Sequence, residues 1–431
     1  MRSAVATPGE TLISDRHITT SARRAYATTL AGAVTLAIGL RLLFWWMQAR
    51  TGAVQPGDSE EYVRGAVGLL HSAYTTGEKW LRPPLYPFFL AAAFATAGYD
   101  IPRALLLQAL VTGAGVLAFA GLGHALFGRK DVAVVSALIA ALFIPFVAYG
   151  SVLFAEALFV VLVTASFALL LRRDRAGRRR AALAGIVFGL ATLTRAVGLF
   201  FLPFAMLALV VEMRETSLVH GRSFRASRWG GTRSGIGAAV AFGLATVLTI
   251  APWTVRNALA YGRFIPVDTN GGVSFWYGAV RDDAELERGE ALLAGLPNLA
   301  DKQRAAVRMA LDTIRDEPVR YLGRVRFKIV SLWQLGSRNY AAGGIVSLDP
   351  GGRSLGVTPG ELPLPLSVLA DLQYVLLVLG AIWGYSYAPR ESRSLVLLGW
   401  VLFGTAMSGL TIGHPRLRLP LLAVFVPYTA W

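Results

Sequence analysis

Apolar runs of about 20 residues, the length a helix needs to cross the hydrocarbon core of a bilayer, recur along this chain from Tyr26 to Trp431. Inside a bilayer every backbone polar group must find its partner within the protein, and a helix satisfies that demand within one segment. Composition agrees: 55% of the residues are hydrophobic and only 16% charged, which excludes a single water-soluble globule. Candidate segments lie near 26 to 47, 84 to 98, 101 to 126, 130 to 149, 152 to 172, 180 to 195, 197 to 212, 235 to 252, 366 to 388, 394 to 413 and 416 to 431. The expected fold is an all-α polytopic membrane protein, a bundle of about 11 transmembrane helices with one large loop outside the membrane.

The net charge of +16 would suggest nucleic acid if it were gathered on a soluble domain. Instead the basic residues sit in short loops between apolar runs, such as Arg172, Arg173, Arg175, Arg178, Arg179 and Arg180, as the positive-inside rule requires. Nucleic acid is therefore not an expected partner. The same rule places 172 to 180, 213 to 233 and the loop holding Arg390 and Arg393 in the cytoplasm, and leaves 48 to 83 and 253 to 365 outside. The expected organisation is a cytoplasmic tail over 1–25, an N-terminal transmembrane module over 26–252 that includes the external loop 48–83, a large external loop over 253–365, and C-terminal transmembrane helices over 366–431. The first apolar run is too long for a signal-peptide core and reads as a retained anchor.

Parity sets a constraint. Both the tail and Arg129-Lys130 read as cytoplasmic, yet three apolar segments lie between them. The segment 84 to 98 is the shortest and carries Pro84 and Pro87 just after Pro83; because proline removes backbone donors, this segment is expected to be partial or re-entrant. In the large loop, Ala306, Val307, Ala310, Leu311 and Ile314 recur at helical spacing up to Pro318. Beyond it Arg320, Arg324 and Lys328 form one stripe, with Leu322, Val325, Ile329 and Trp333 roughly opposite, which fits either a helix lying on the bilayer surface or a charged solvent-exposed face.

Several polar residues stand where they are costly. Asp58 opens the stretch Asp58-Ser59-Glu60-Glu61-Tyr62 in the first external loop, and Arg82 precedes Pro83-Pro84 at a membrane entry. An arginine fork there matches phosphate oxygens, whereas Asp58 reads equally as a helix N-cap. Glu156 and Arg195 lie within or between apolar runs; such residues face a cavity or each other. Arg416 and Arg418 sit on the outer face, where positive-inside logic disfavours arginine, so they either snorkel or meet an anionic partner. With no cysteine there is no disulfide or thiolate chemistry. The histidines, at 17, 71, 124, 220 and 414, show no metal-ligand spacing. No nucleotide-binding glycine motif occurs, so a soluble nucleotide donor is unsupported and no cofactor is expected.

The ordered set Asp58 with Tyr62, Arg82-Pro83-Pro84-Leu85-Tyr86-Pro87, Glu156, Thr194-Arg195, Pro252-Trp253 with Arg256-Asn257, Asn270-Gly271-Gly272 and Arg416-Leu417-Arg418-Leu419-Pro420 resembles bacterial GT-C glycosyltransferases of family 39, the protein O-mannosyltransferase and aminoarabinose-transferase-like group. The resemblance runs from about the first span to the last residue. It implies an inverting transferase of the cytoplasmic membrane, with a cavity open to the outer leaflet and a polyprenyl-phosphate sugar as donor. Membrane lipids and a glycan, lipid or protein acceptor are the other expected partners. Asp58 and Glu156 are then the catalytic candidates, and Arg82, Arg416 and Arg418 the donor phosphate ligands. Tyr62, Arg195, Arg256, Asn270 and Lys328 are expected to line or support the cavity. Two departures bear on substrate: Ser59 stands where protein mannosyltransferases carry glutamate, and Leu81 stands where aminoarabinose transferases place an acid that helps bind metal, so no metal is expected there. A transporter or flippase of lipid-linked sugars is the alternative, since it too needs many spans and a charged cavity; the internal repeats and broken midplane helices typical of transporters are not found.

Overall fold

The computed structural model describes residues 8–49, 58–72, 74, 81–172, 177–219, 224–337, 345–348, 354–358, 362–389 and 393–431. Gly57, Trp80, Arg173, Arg175 and Arg390 lie outside the described residues. The chain opens with α1 (Pro8–Phe44), whose apolar part continues into a π turn at Trp45–Ala49. Next come α2 (Asp58–Leu70) and α3 (Leu85–Ala97). Then α4 (Ile101–Ala114) and α5 (Val116–Phe127) run on as one apolar stretch of 27 residues, roughly 40 Å at 1.5 Å per residue.

The indole of Trp45 donates to the Pro102 carbonyl at 2.9 Å, which sets the start of α4 level with the end of α1. At the opposite end of the bundle the Lys130 ammonium stands 5.6 Å from the Tyr26 ring. The chain therefore passes through α3 and returns to the end it left. With only 13 residues, α3 is about 20 Å long, short of the roughly 30 Å hydrocarbon core. The three apolar segments before Arg129 thus make two traverses of the bundle, and the parity conflict disappears.

The next helices are α6 (Lys130–Leu142), broken at Phe143 ahead of Pro145 and resumed as α7 (Ile144–Tyr149), then α8 (Ala155–Leu170), α9 (Gly177–Thr194), α10 (Val197–Val219) and α11 (Phe224–Tyr261). The α9–α11 interface is built on small residues. A Cβ on Gly185 would lie 2.3 Å from the Phe242 carbonyl oxygen, and one on Gly189 would lie 2.6 Å from the Thr249 side chain, so both glycines are required for that approach. α11 does not stop at Pro252, as the hydropathy suggests, but continues to Tyr261. Trp253 and Thr254 on this extension donate to the Val267 and Pro266 carbonyls at 2.8 and 2.7 Å and tie down the loop that follows.

Beyond that loop lie α12 (Asn270–Ala279), α13 (Asp283–Ala294), α14 (Leu299–Asp316) and α15 (Pro318–Trp333), followed by a short antiparallel pair, β1 (Ile345–Leu348) with β2 (Ser354–Thr358). Trp276 is 1% exposed at the centre of the small core shared by α12, α13, α14 and α15. The basic stripe of α15 divides: Arg320 stays exposed and pairs with Glu317 at 3.0 Å, whereas Arg324 and Lys328 turn toward the protein. Arg324 turns inward and donates to the Ala279 and Val280 carbonyls, and the Lys328 ammonium lies 4.6 Å from the Tyr321 ring. Val325 and Ile329 pack against Gly409. What faces outward is largely apolar: Val319, Leu322, Phe327 and Val330 are 61–82% exposed, with the exposed Arg326 among them 4.7 Å from the Phe327 ring. The free carbonyls at the end of α12 attract the cations and so decide the orientation.

α16 (Leu364–Tyr387), α17 (Arg393–Leu410), α18 (Leu419–Leu422) and α19 (Val426–Ala430) follow. Trp431 stacks on Phe127 at 4.7 Å and lies under the Arg129 guanidinium, which returns the last residue to the Tyr26 end. Among the described residues four helices are long and apolar enough to cross a membrane, and four shorter apolar helices accompany them.

Candidate active site

The end of the bundle that holds Trp45 and Pro102 also gathers charges from five distant parts of the chain. Asp58 opens α2, whose first turn is pinned where Ser59 Oγ donates to the Leu153 carbonyl at 2.7 Å. Arg82 lies in the extended stretch before Pro83, held by two backbone-level hydrogen bonds: Leu81 N–H to Thr269 Oγ1 at 3.0 Å and Thr269 N–H to the Leu81 carbonyl at 3.1 Å. Glu156 stands in the first turn of α8, where the helix dipole favours an anion. Arg195 follows the last turn of α9, where the dipole favours a cation. Arg416 sits in a short 3-10 turn, Pro415–Arg418, capped by His414 Nδ1 accepting from the Arg416 amide at 3.1 Å.

These groups alternate in sign. Glu61 pairs with Arg82, and Arg82 Nη2 reaches Asp58 Oδ1 at 2.9 Å. Asp58 Oδ2 accepts from Arg416 Nη2 at 2.5 Å. Arg416 Nε lies 2.9 Å from Glu156 Oε1, and the same oxygen lies 2.6 Å from Arg195 Nη1. Three carboxylates and three guanidinium groups thus form one chain of ion pairs. Glu156 is 1% exposed; a carboxylate so buried is tolerable only when paired. Tyr62 stands under Arg82, 6.0 Å from ring centroid to guanidinium, and meets Tyr86 edge to face at 4.9 Å. Tyr86 in turn donates to Gln108 Oε1 at 2.6 Å. Phe154 lies under Arg416 at 4.6 Å.

Burial alone would raise the Asp58 carboxyl, but Arg82, then Arg416 and Arg195, outweigh it and hold the group at about 2. In this arrangement Asp58 is an anion with both oxygens engaged and little basicity. Glu60, its near neighbour, points away and pairs with Arg64.

Of the residues singled out in the sequence, Asp58, Tyr62, Arg82, Glu156, Arg195 and Arg416 converge. Arg418 does not. It is fully buried, donates to the Leu332 carbonyl at 3.3 Å and to that of Gln334, and stacks 3.9 Å from the Tyr374 ring, so it fastens the end of α15 to α16. Arg256 lies along the outer end of α11 against Trp253, Tyr74 and Tyr261. Asn270 opens α12, and Lys328 belongs to the inner face of α15. Two participants were not singled out. Glu61 is three residues from Asp58 and therefore on the same helix face. Asp268 precedes Thr269, whose pairing with Leu81 brings it within the electrostatic reach of Arg82, and it is the only charged residue between Phe264 and Val280, which is how the sequence marks it. Among the described residues no cluster of three or more acids or histidines is arranged to hold a metal.

Residues 81–224, which contain Arg82, Glu156 and Arg195, match the family model described as dolichyl-phosphate-mannose-protein mannosyltransferase. No match to a curated protein was found. Among solved structures, the chain resembles the archaeal oligosaccharyltransferase AglB from Archaeoglobus fulgidus in complex with an inhibitory peptide and a dolichol-phosphate, at a TM-score of 0.54 and 15% identity over 95% of this chain and 50% of that one. The apo form of the same enzyme matches at 0.55 and 15% identity, over 94% and 50%. ArnT from Cupriavidus metallidurans bound to undecaprenyl phosphate aligns over 92% of this chain and 77% of that one, at 14% identity and a TM-score of 0.40. The chain spans about half the length of the oligosaccharyltransferase. It is a membrane protein with the GT-C glycosyltransferase fold, and over residues 81–224 it is similar to the dolichyl-phosphate-mannose-protein mannosyltransferases.

Proposed function

We propose that this protein is an inverting glycosyltransferase that moves a sugar from a polyprenyl-phosphate donor to an acceptor hydroxyl at the outer face of the cytoplasmic membrane. The observation that carries the reading is the alternating cage of Asp58, Arg82, Arg416, Glu156 and Arg195 at one end of a GT-C bundle. Arginines at that depth are held by carboxylates, and a phosphate that enters competes for the same forks. On this reading the donor phosphate takes over Arg82 and Arg416. Asp58 is released to face the anomeric carbon, where an anion steadies the positive charge that grows as the bond to phosphate breaks. A lipid phosphate has a second pKa of about 6, so it leaves without a general acid of its own, and the arginines absorb the added charge.

The acceptor is a hydroxyl on a glycan, lipid or protein, and the arginine-rich ends of α9 and α11, with Arg129, stand in the cytoplasm. The test is transfer itself. Purified protein in proteoliposomes, given radiolabelled polyprenyl-phosphate sugars and membrane acceptors, is expected to move label to an acceptor. Movement of the labelled lipid between leaflets without transfer would replace this reading with that of a flippase.

A further inference from the structure

We propose that Asp268 takes the proton of the acceptor hydroxyl, so that the work usually given to one carboxylate is divided here between two. The inference rests on the transferase reading and adds to it the path of the proton.

Each other carboxylate of the cage is committed to guanidinium: Glu61 to Arg82, Asp58 to Arg82 and Arg416, Glu156 to Arg416 and Arg195. Asp268 alone among them forms no ion pair within the described residues. Its place is fixed all the same, because Thr269 and Leu81 are joined by hydrogen bonds in both directions and Arg82 is the residue after Leu81. The charged groups that act on it are Arg82, from the stretch before α3, and Arg195, from the end of α9, while the Gly271 amide of α12 donates to it. Burial outweighs all three and raises this carboxyl to about 6. A base poised near the working pH is efficient, because it is ionised when needed and still basic enough to accept. Asp58, held at about 2, is a poor acceptor until its arginines are drawn away.

The step balances within the named groups. The acceptor O–H bond breaks and its proton goes to the Asp268 carboxylate. The oxygen's electron pair forms the new bond to the anomeric carbon, and the bond from that carbon to the phosphate oxygen breaks with its electron pair leaving on the phosphate. Asp268 then returns its proton to water.

Asp268→Asn separates this role from a structural one. Asparagine keeps the side-chain oxygen that accepts from Gly271 and so preserves the start of α12, but it cannot take a proton. With a donor and acceptor that the native protein uses, kcat of the native protein is expected to fall as pH drops through about 6. Asp268→Asn should lower kcat at least about a hundredfold, leave the donor KM within about twofold and remove that acidic limb. His414, lowered from its usual value by burial and then by Arg416, also titrates near the cage, so His414→Asn is the control and should retain the limb. A well-folded Asp268→Asn with near-native kcat and the limb intact would overturn the proposal while leaving the transferase reading standing. A second measurement does not depend on turnover: infrared difference spectra across pH 6 should show a protonated carboxyl band in native protein that is lost in Asp268→Asn. Absence of that band in native protein overturns the assignment even where no transfer is found, and it is then the transfer assay that judges the wider reading.

Discussion

Asp58 Oδ2 and Arg416 Nη2 meet at 2.5 Å although 358 positions separate them in the chain. One belongs to the first turn of α2 and the other to the 3-10 turn before the last helices, so this contact closes the bundle on itself at the site. A charge-assisted hydrogen bond between partly buried groups contributes about 1.5 to 3 kcal/mol, and the geometry of the cage depends on it.

Asp58→Asn should abolish transfer, by at least about a hundredfold in kcat, while donor binding is retained or tightened. Asparagine fills the same space, yet it no longer competes with the donor phosphate for Arg82 and Arg416. Were Asp58 only a helix cap, asparagine would be among the best replacements and turnover would stay near native. Glu60→Gln is the neighbouring control, since Glu60 is turned away toward Arg64. Steady-state kinetics with a donor that the native protein uses, together with a donor-binding isotherm, decides between the two.

The three arginines separate into two kinds. Arg82→Ala and Arg416→Ala should weaken donor binding or turnover by roughly tenfold to a hundredfold, at about 1.4 kcal/mol per decade. Arg418→Ala should instead lower the thermal midpoint, because it leaves the Leu332 and Gln334 carbonyls without their donor, at about 1 to 3 kcal/mol for each orphaned group. Its donor affinity, per folded molecule, should stay near native. A stable Arg418→Ala with lost donor affinity would move Arg418 into the phosphate site.

Topology is testable because the chain has no native cysteine. His71→Cys and Gly295→Cys, both at exposed positions on the site end, should react with an impermeant thiol reagent in intact cells, whereas Gly177→Cys at the opposite end should react only after permeabilisation. Labelling of Gly177→Cys alone in intact cells would invert the orientation and place the cage in the cytoplasm.

The outward stripe of α15 is largely apolar, with Arg326 as its one charged member, and in a membrane protein such a face belongs at the lipid surface, where a long basic side chain reaches the headgroups. A nitroxide on Val330→Cys should be relaxed more strongly by oxygen, which concentrates in the bilayer, than by a polar nickel chelate. The reverse order would put α15 in water, and a partner protein would then have to be sought for its exposed leucine, valine and phenylalanine side chains.

Much of the architecture is a consequence of the sequence alone. The bilayer admits few structures, and apolar runs of spanning length specify a helical membrane bundle with no reference to which helix packs on which. Asp58, Arg82, Glu156, Arg195 and Arg416 were legible as charges in places where charge is costly. Which of them touch was not. Arg416 and Arg418 are equivalent by every sequence criterion, two basic residues in one turn, and only the packing of α15 and α16 turns one toward Asp58 and the other onto buried carbonyls. The inward turn of Arg324 on α15 answers to carbonyls at the end of α12 more than 40 residues away, a partner that helical periodicity cannot reveal. Asp268 joins the site through a two-residue pairing across 188 positions. Period and composition are local properties and survive in the linear chain, whereas the cage depends on the three-dimensional placement of five separate segments, which only the tertiary structure decides.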